Sequence, residues 1–198
     1  MKPVAVSQRV DTVPGYGEQR DALDQRLSAF LLAGGCLPVP VPNALAAGDA
    51  AALDAWLAAI RPAGVVLSGG NDIGTQPERD ATEAHLLAHA TAHRLPVLGI
   101  CRGMQMLAHR AGTALTPAAG HVASRHRLAG SIDRETNSYH GLALSDCPPE
   151  YEILARSADG VIEAIRHATL PWEGWMWHPE REPVLHWQDI ERLKALFR

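Results

Sequence analysis

Cysteine is scarce in this chain of 198 residues: three in all, at positions 36, 101 and 147, an odd number with no C-x-x-C pair. That pattern excludes a disulfide framework and fits a reducing compartment. Aromatic residues are also few, at 5%. No apolar run reaches the roughly 18 residues that mark a membrane-spanning helix. A basic stretch followed by an apolar one is missing as well, so a cytoplasmic protein is expected. The formal net charge is −4, which argues against general binding to nucleic acid or to a membrane surface. What remains is 46% hydrophobic and 20% charged, an ordinary globular composition, and residues 1–198 suit one domain.

Along the first half, short apolar runs alternate with helical patterns. Lys2–Ser7 reads as a strand, Arg9–Gly17 as a loop broken by Pro14 and Gly15, and Glu18–Leu32 as a helix ended by Gly34-Gly35. Leu37–Val41 is a Pro-interrupted, edge-like strand, Asp49–Ile60 a helix, Gly64–Leu67 a buried strand and Thr82–Arg94 a helix. The second half is more β-like. It has strand signals from Leu115, at Tyr151–Ala155, at Val161–Arg166 and at Gly174–Trp177, with Asn137–His140 in a loop and a last helix at Trp187–Phe197. Strand–helix alternation predicts an α/β fold, a three-layer sandwich around a mostly parallel sheet.

One stretch organises the rest, Val97-Leu98-Gly99-Ile100-Cys101-Arg102-Gly103-Met104-Gln105. An apolar run, a cysteine flanked by glycines and an amphipathic helix make a nucleophile elbow, with Cys in the place of the usual Ser. The glycines are expected to permit the sharp turn and leave room for substrate. The sulfur would face the positive end of a helix, the setting in which cysteines act as nucleophiles. Such a thiol needs a base and a group to orient the base. His178-Pro179-Glu180 supplies both: in an extended segment, residues two apart project to one side, and Pro179 stiffens the pair. An oxyanion hole then needs two amides. Arg102 N–H follows the nucleophile, and Gly70 N–H in Ser68-Gly69-Gly70-Asn71-Asp72 is the second.

Taken together, Gly-Ile-Cys-Arg-Gly-Met-Gln, Ser-Gly-Gly-Asn-Asp and His-Pro-Glu resemble the class I glutamine amidotransferase-like superfamily. Within it the chain is similar to the γ-glutamyl hydrolase branch, over nearly its whole length. Further segments, Glu-Arg-Asp, Asn-Ser-Tyr-His, Ile-Glu-Ala and Met-Trp-His-Pro-Glu-Arg-Glu, resemble hydrolases of γ-glutamyl-CDP-amidate, which release cytidine diphosphoramidate for capsule modification. The resemblance implies amide hydrolysis through a γ-glutamyl thioester, with Cys101 as nucleophile, His178 as acid and base, Glu180 as its orienter, and Gly70 and Arg102 at the oxyanion. It implies a glutamyl pocket at Gln105, Asn137, Ser138, Tyr139 and His140. It implies no metal and no cofactor. No synthetase domain is expected beside this chain, which favours a free-standing hydrolase.

Several readings stay open. Arg9, Tyr16 and Asn71 follow strand ends and would line the distal half of a substrate. His140 would touch substrate or cap a loop. His85, His89 and His93 recur every four residues on one helix and read as a solvated face. His121, Arg125, His126 and Arg127 read as a solvated segment or as a phosphate-recognising flank. Trp172, Trp175 and Trp177 pack a core or stack a cytosine. The rival functions are hydrolysis of other γ-glutamyl amines such as γ-glutamyl-γ-aminobutyrate, a glutaminase component of a separate synthetase, and an inactive binding relative. The expected partner is a small γ-glutamyl molecule, with neither nucleic acid nor membrane; a homodimer is left open.

Overall fold

Residues 1–198 are all described by a computed structural model. In chain order the strands are β1 (Lys2–Val6), β2 (Arg9–Thr12), β3 (Gln19–Ala22), β4 (Cys36–Pro40), β5 (Val65–Leu67), β6 (Val97–Ile100), β7 (Leu115–Pro117), β8 (Val122–Gly130), β9 (Arg134–Tyr139), β10 (Leu142–Leu144), β11 (Tyr151–Ser157), β12 (Ile162–His167) and β13 (Trp172–Trp175). The helices are α1 (Gln25–Ala33), α2 (Ala51–Ile60), α3 (Pro77–His93), α4 (Arg102–Arg110) and α5 (Trp187–Leu196). None is long and apolar enough to cross a membrane.

Nine strands form one sheet in the order β4-β1-β5-β6-β13-β12-β11-β8-β9. The first five are mutually parallel, and from β12 onward each pairs antiparallel with its neighbour. Alternation along the parallel strands feeds two cores. Val4, Val6, Val66, Leu98 and Ile100 face α1 and α5 through Leu27, Phe30, Leu31 and Leu193. Ala5, Val65, Leu67 and Val97 face α2, α3 and α4 through Leu53, Leu57, Leu86, Leu87 and Leu107. A strand buried on both faces needs an unbroken apolar run, which is what β5 and β6 carry. Each such Leu or Phe contributes about 1.5–3 kcal/mol by leaving water. The expected three-layer α/β sandwich is therefore the observed one.

Two local expectations fail near the N-terminus. Arg9–Gly17 is not all loop, and no helix begins at Glu18: β2 and β3 pair as a hairpin, Arg9 opposite Ala22 through Thr12 opposite Gln19. Helix α1 starts only at Gln25, because the Asp24 side chain accepts from Arg26 N–H at 2.9 Å and caps it. Farther on, Asn137-Ser138-Tyr139 ends strand β9 rather than interrupting a loop, paired with β8 through Ser138 opposite Ser124 and Asn137 opposite Arg125. Helix α3 begins five residues before the expected Thr82, with Pro77 at its first position.

Candidate active site

Strand β6 runs into α4 with no loop between them, so the whole turn falls on Cys101. Its backbone sits at φ 50°, ψ −106°, a region that a residue with a side chain adopts only under constraint. The constraint is visible: Cys101 N–H donates to Trp175 O at 2.7 Å, and Cys101 O accepts from Gln105 N–H at 3.1 Å. Gly103 and Gly99 serve this close approach. A Cβ on Gly103 would stand 2.2 Å from Leu67 O, and one on Gly99 would stand 2.6 Å from Gly103 itself. These glycines make room for the strand and the helix to meet, not for substrate as the sequence suggested.

His178 follows β13, and the short helical turn Pro179–Arg181 comes directly after it. That turn, rather than an extended segment, swings Glu180 back so that its Oε1 lies 2.6 Å from His178 Nδ1. Both side chains are buried, at 3% and 4% exposure. Burial alone would push the imidazole pKa down. Hydrogen bonds to Cys101 and Glu180 outweigh it and raise the value to about 9. Gly69 packs on the ring: a Cβ there would come within 2.6 Å of His178 Cε1. Thiol, imidazole and carboxylate thus converge from the start of α4, the turn after β13 and the short helical turn that follows it.

The second glycine turn leaves β5. Gly70 has φ +113°, which points its N–H in a direction most residues reach only with strain. Arg102, the first residue of α4, has an N–H without a partner inside the helix. A buried charge network that the sequence did not reveal joins these two turns. Arg79 donates to Ser68 O at 2.7 Å, to Gly69 O at 3.0 Å and to Glu83 at 3.0 Å. Arg102 donates to Asn71 O at 3.0 Å and pairs with Glu83 and Asp80. Ser7 Oγ donates to Glu83 at 2.8 Å. Burial, the main cause in each case, lowers the Arg79 pKa to about 10 and that of Arg102 to about 9.

A cleft of about 310 Å³ opens on Cys101, lined by Gly70, Asn71, Asp72, Gln105, Tyr139, His140, Gly141, His178 and Arg181 among others. Gln105 donates to Leu142 O at 3.0 Å. His140 is buried with its Nδ1 3.1 Å from that same oxygen. A second cleft meets the first at Gly70, His178 and Arg181, and Arg9, Asp11 and Asp24 line its far side. Arg9 is paired there with Asp11 at 2.7 Å.

Other expected residues hold the frame. Asn71 exchanges two bonds with the Val10 backbone, at 2.8 and 2.9 Å, and so ties down β2. Asn137 bonds the backbone of His178. Ser138 Oγ donates to His121 O at 2.6 Å, fully buried. Tyr16 lies exposed in the β2–β3 turn and lines neither cleft. Trp172, Trp175 and Trp177 are all core, the last two stacked at 5.4 Å, so none is available to a base. The helix histidines are surface groups: His85 pairs with Asp54 at 2.6 Å, and His89 stacks on His93 at 4.1 Å. In the His121–Arg127 segment the solvated reading holds for the arginines, which are exposed, and fails for the histidines. Arg125 and Arg127 pair with neighbouring carboxylates, while His121 and His126 turn inward onto buried Glu163. Asp72, Gly141 and Arg181 are not among the expected site residues, although each directly follows one that is: Asn71, His140 and Glu180.

The model of the family "Glutamine amidotransferase class-I" matches residues 39–196, which contain the elbow, the Gly69-Gly70 turn and His178-Pro179-Glu180. The chain belongs to that family. Its members are amide hydrolases. It is 34% identical over 140 residues to the gamma-glutamyl-CDP-amidate hydrolase of Campylobacter jejuni, covering 67% of this chain and 68% of that one. It is 43% identical over 144 residues to the aminodeoxychorismate synthase of Streptomyces griseus, covering 68% of this chain but 19% of that much longer protein. It is 31% identical over 146 residues to the glutamine-hydrolyzing GMP synthase subunit of Thermococcus kodakarensis, with 68% and 74% covered. Among solved structures, a protein assigned as a GMP synthase subunit from Thermoplasma acidophilum superposes with a TM-score of 0.74 at 20% identity, over 100% of this chain and 94% of the other.

Proposed function

We propose that this family member is a cysteine-dependent hydrolase that cleaves a γ-glutamyl amide through a γ-glutamyl thioester. The observation that carries the reading is the 2.6 Å bond between His178 Nδ1 and Glu180, with Cys101 on a strained elbow at the imidazole's other side. Cys101 Sγ attacks the γ-carbonyl carbon, and the oxygen takes up negative charge before the N–H groups of Gly70 and Arg102. As the C–N bond breaks, protonated His178 gives its proton to the leaving nitrogen. Neutral His178 then takes a proton from water, whose oxygen attacks the thioester carbon. Glutamate leaves and Cys101 is regenerated. Glu180 holds the ring in one orientation through both halves. The glutamyl part would lie in the cleft of Gln105, Tyr139 and His140.

The most favoured substrate is γ-glutamyl-CDP-amidate, giving L-glutamate and cytidine diphosphoramidate for a capsule phosphoramidate. Support comes from the Campylobacter jejuni relative and from Arg9 and Arg181 along the second cleft, where a diphosphate leaving group would extend. A second reading, a glutaminase component serving a separate synthetase, draws on the GMP synthase relatives. Glutamate release from L-glutamine, γ-glutamyl-γ-aminobutyrate and γ-glutamyl-CDP-amidate separates the readings. Preference for the last is expected, with release abolished in Cys101→Ala. Release that survives Cys101→Ala would overturn the mechanism, and preference for glutamine would overturn the substrate alone.

A further inference from the structure

The antiparallel side of the sheet buries a polar cluster of which only His140 also borders the cleft at Cys101. His121 precedes β8, His126 lies within it, His140 follows β9 and Glu163 lies in β12. His121, His140 and Glu163 are at most 3% exposed, and the His126 side chain is 15% exposed. His121 Nδ1, His126 Nε2 and His140 Nε2 each stand 3.3 Å from the same atom, Glu163 Oε1. None makes a hydrogen bond there, and both Glu163 oxygens are likewise without a partner. Stranding five buried polar atoms costs several kcal/mol unless something satisfies them. We propose that His121, His126 and Glu163 bind a divalent transition-metal ion of the zinc class, with His140 as the candidate fourth donor.

Three features favour an ion over a set of poor hydrogen bonds. Donors of His121, His126 and Glu163 all lie within 4.8 Å of one another. A separation of 3.3 Å is long for N–H···O, whose usual value is about 2.9 Å. It matches the roughly 3.3 Å edge of a tetrahedron of ligands about 2.0–2.1 Å from zinc. The outer shell is also in place. His121 Nε2 lies 2.9 Å from Asp159 Oδ2, and His140 Nδ1 lies 3.1 Å from Leu142 O. Giving those nitrogens the protons leaves lone pairs on His121 Nδ1 and His140 Nε2, which is the carboxylate–histidine–metal arrangement. Nitrogen and carboxylate donors without thiolate suit zinc, iron, nickel or copper rather than calcium or magnesium. The ion would tie β8, β9 and β12 together behind the wall that carries His140.

The test uses purified full-length protein stripped with a chelator and titrated with Zn²⁺ or Co²⁺. Uptake of roughly one equivalent per chain is expected, with a raised melting temperature and, for Co²⁺, the intense visible absorption of a four-coordinate site. Glu163→Gln and His126→Asn should abolish that uptake. Asp159→Asn, an exposed change that leaves the core intact, should weaken it about 10- to 100-fold. His89→Ala/His93→Ala should leave it unchanged. Absence of stoichiometric uptake by the wild type would overturn the proposal. So would uptake that is lost with the helix histidines, or that is indifferent to Asp159→Asn.

Discussion

Asn137 grips His178 by its main chain: Asn137 Oδ1 accepts from His178 N–H at 3.0 Å, and Asn137 Nδ2 donates to His178 O at 2.8 Å. Strand β9 thereby fixes the height of the imidazole over Cys101, although the asparagine never faces the cleft. Removing the clamp in Asn137→Ala strands two buried backbone groups. The expected loss is about 2 kcal/mol, or roughly 4–8 °C of melting temperature. In steady-state kinetics kcat should fall with KM nearly unchanged. A rise in KM at constant kcat would mean that Asn137 binds substrate instead.

The raised His178 pKa sets a pH window. Its folded value of about 9 lies above the ordinary 6.5, so the protonated form is the one that folding favours. That stabilisation is fully present below about pH 6.5 and is lost as pH rises through about 9. In the proposed mechanism His178 gives a proton to the leaving nitrogen, so kcat/KM should fall over the same upper limb. Glu180→Gln removes one cause of the elevation and should move that limb to lower pH. A pH–rate profile with the same alkaline limb in both proteins would contradict this assignment.

Gly69→Ala tests the packing of the imidazole. The added methyl would fall 2.6 Å from His178 Cε1, so the ring must shift from its place beside Cys101 and Glu180. Since a displacement of this kind costs on the order of 100-fold in rate, activity should drop about that much while circular dichroism stays native. Wild-type activity in Gly69→Ala would show that the ring has freedom to spare.

The network under the two glycine turns predicts a large stability effect. Arg79 and Glu83 are both fully buried and 3.0 Å apart, and Glu83 also pairs with Arg102. Glu83→Gln leaves buried guanidinium charge uncompensated, at a cost of about 3–5 kcal/mol. Urea denaturation should show the loss as a lower midpoint with an unchanged slope. An effect under about 1 kcal/mol, the level of an exposed pair, would mean that water reaches this site.

The parts of the site legible in the sequence share one property: their chemistry and their spacing lie within a few adjacent residues. The elbow, Ser68-Gly69-Gly70 and His178-Pro179-Glu180 are local. So are the runs that became β1, β5 and β6, where burial on both faces leaves a continuous apolar signature. What escaped was long-range. Asn137 and His178 are 41 residues apart, and nothing local to Arg79, Glu83 or Arg102 shows that the fold brings their side chains together beneath two turns. The false helix at Glu18 arose because Ala22 and Leu23 fall in register with Leu27, Phe30 and Leu31, while the Asp24 cap breaks the pattern without altering that spacing. His121 and His126 looked solvated because Arg125 and Arg127 lie among them in sequence; the two arginines alternate to the face opposite His126, and His121, which precedes β8, is set apart from them by the bulge between Val122 and Ser124.

The elbow geometry has a cost that falls on one residue. At φ 50°, ψ −106° a side chain is strained by about 1–3 kcal/mol. Glycine is free of that strain, although its looser unfolded chain takes back about 0.5–1 kcal/mol. Cys101→Gly should therefore melt at least as high as the wild type and above Cys101→Ala, while releasing no glutamate. Thermostability and turnover are thus opposed at position 101. If Cys101 is the nucleophile as proposed, selection for heat resistance alone would discard it early, and selection for the reaction would hold a cysteine there.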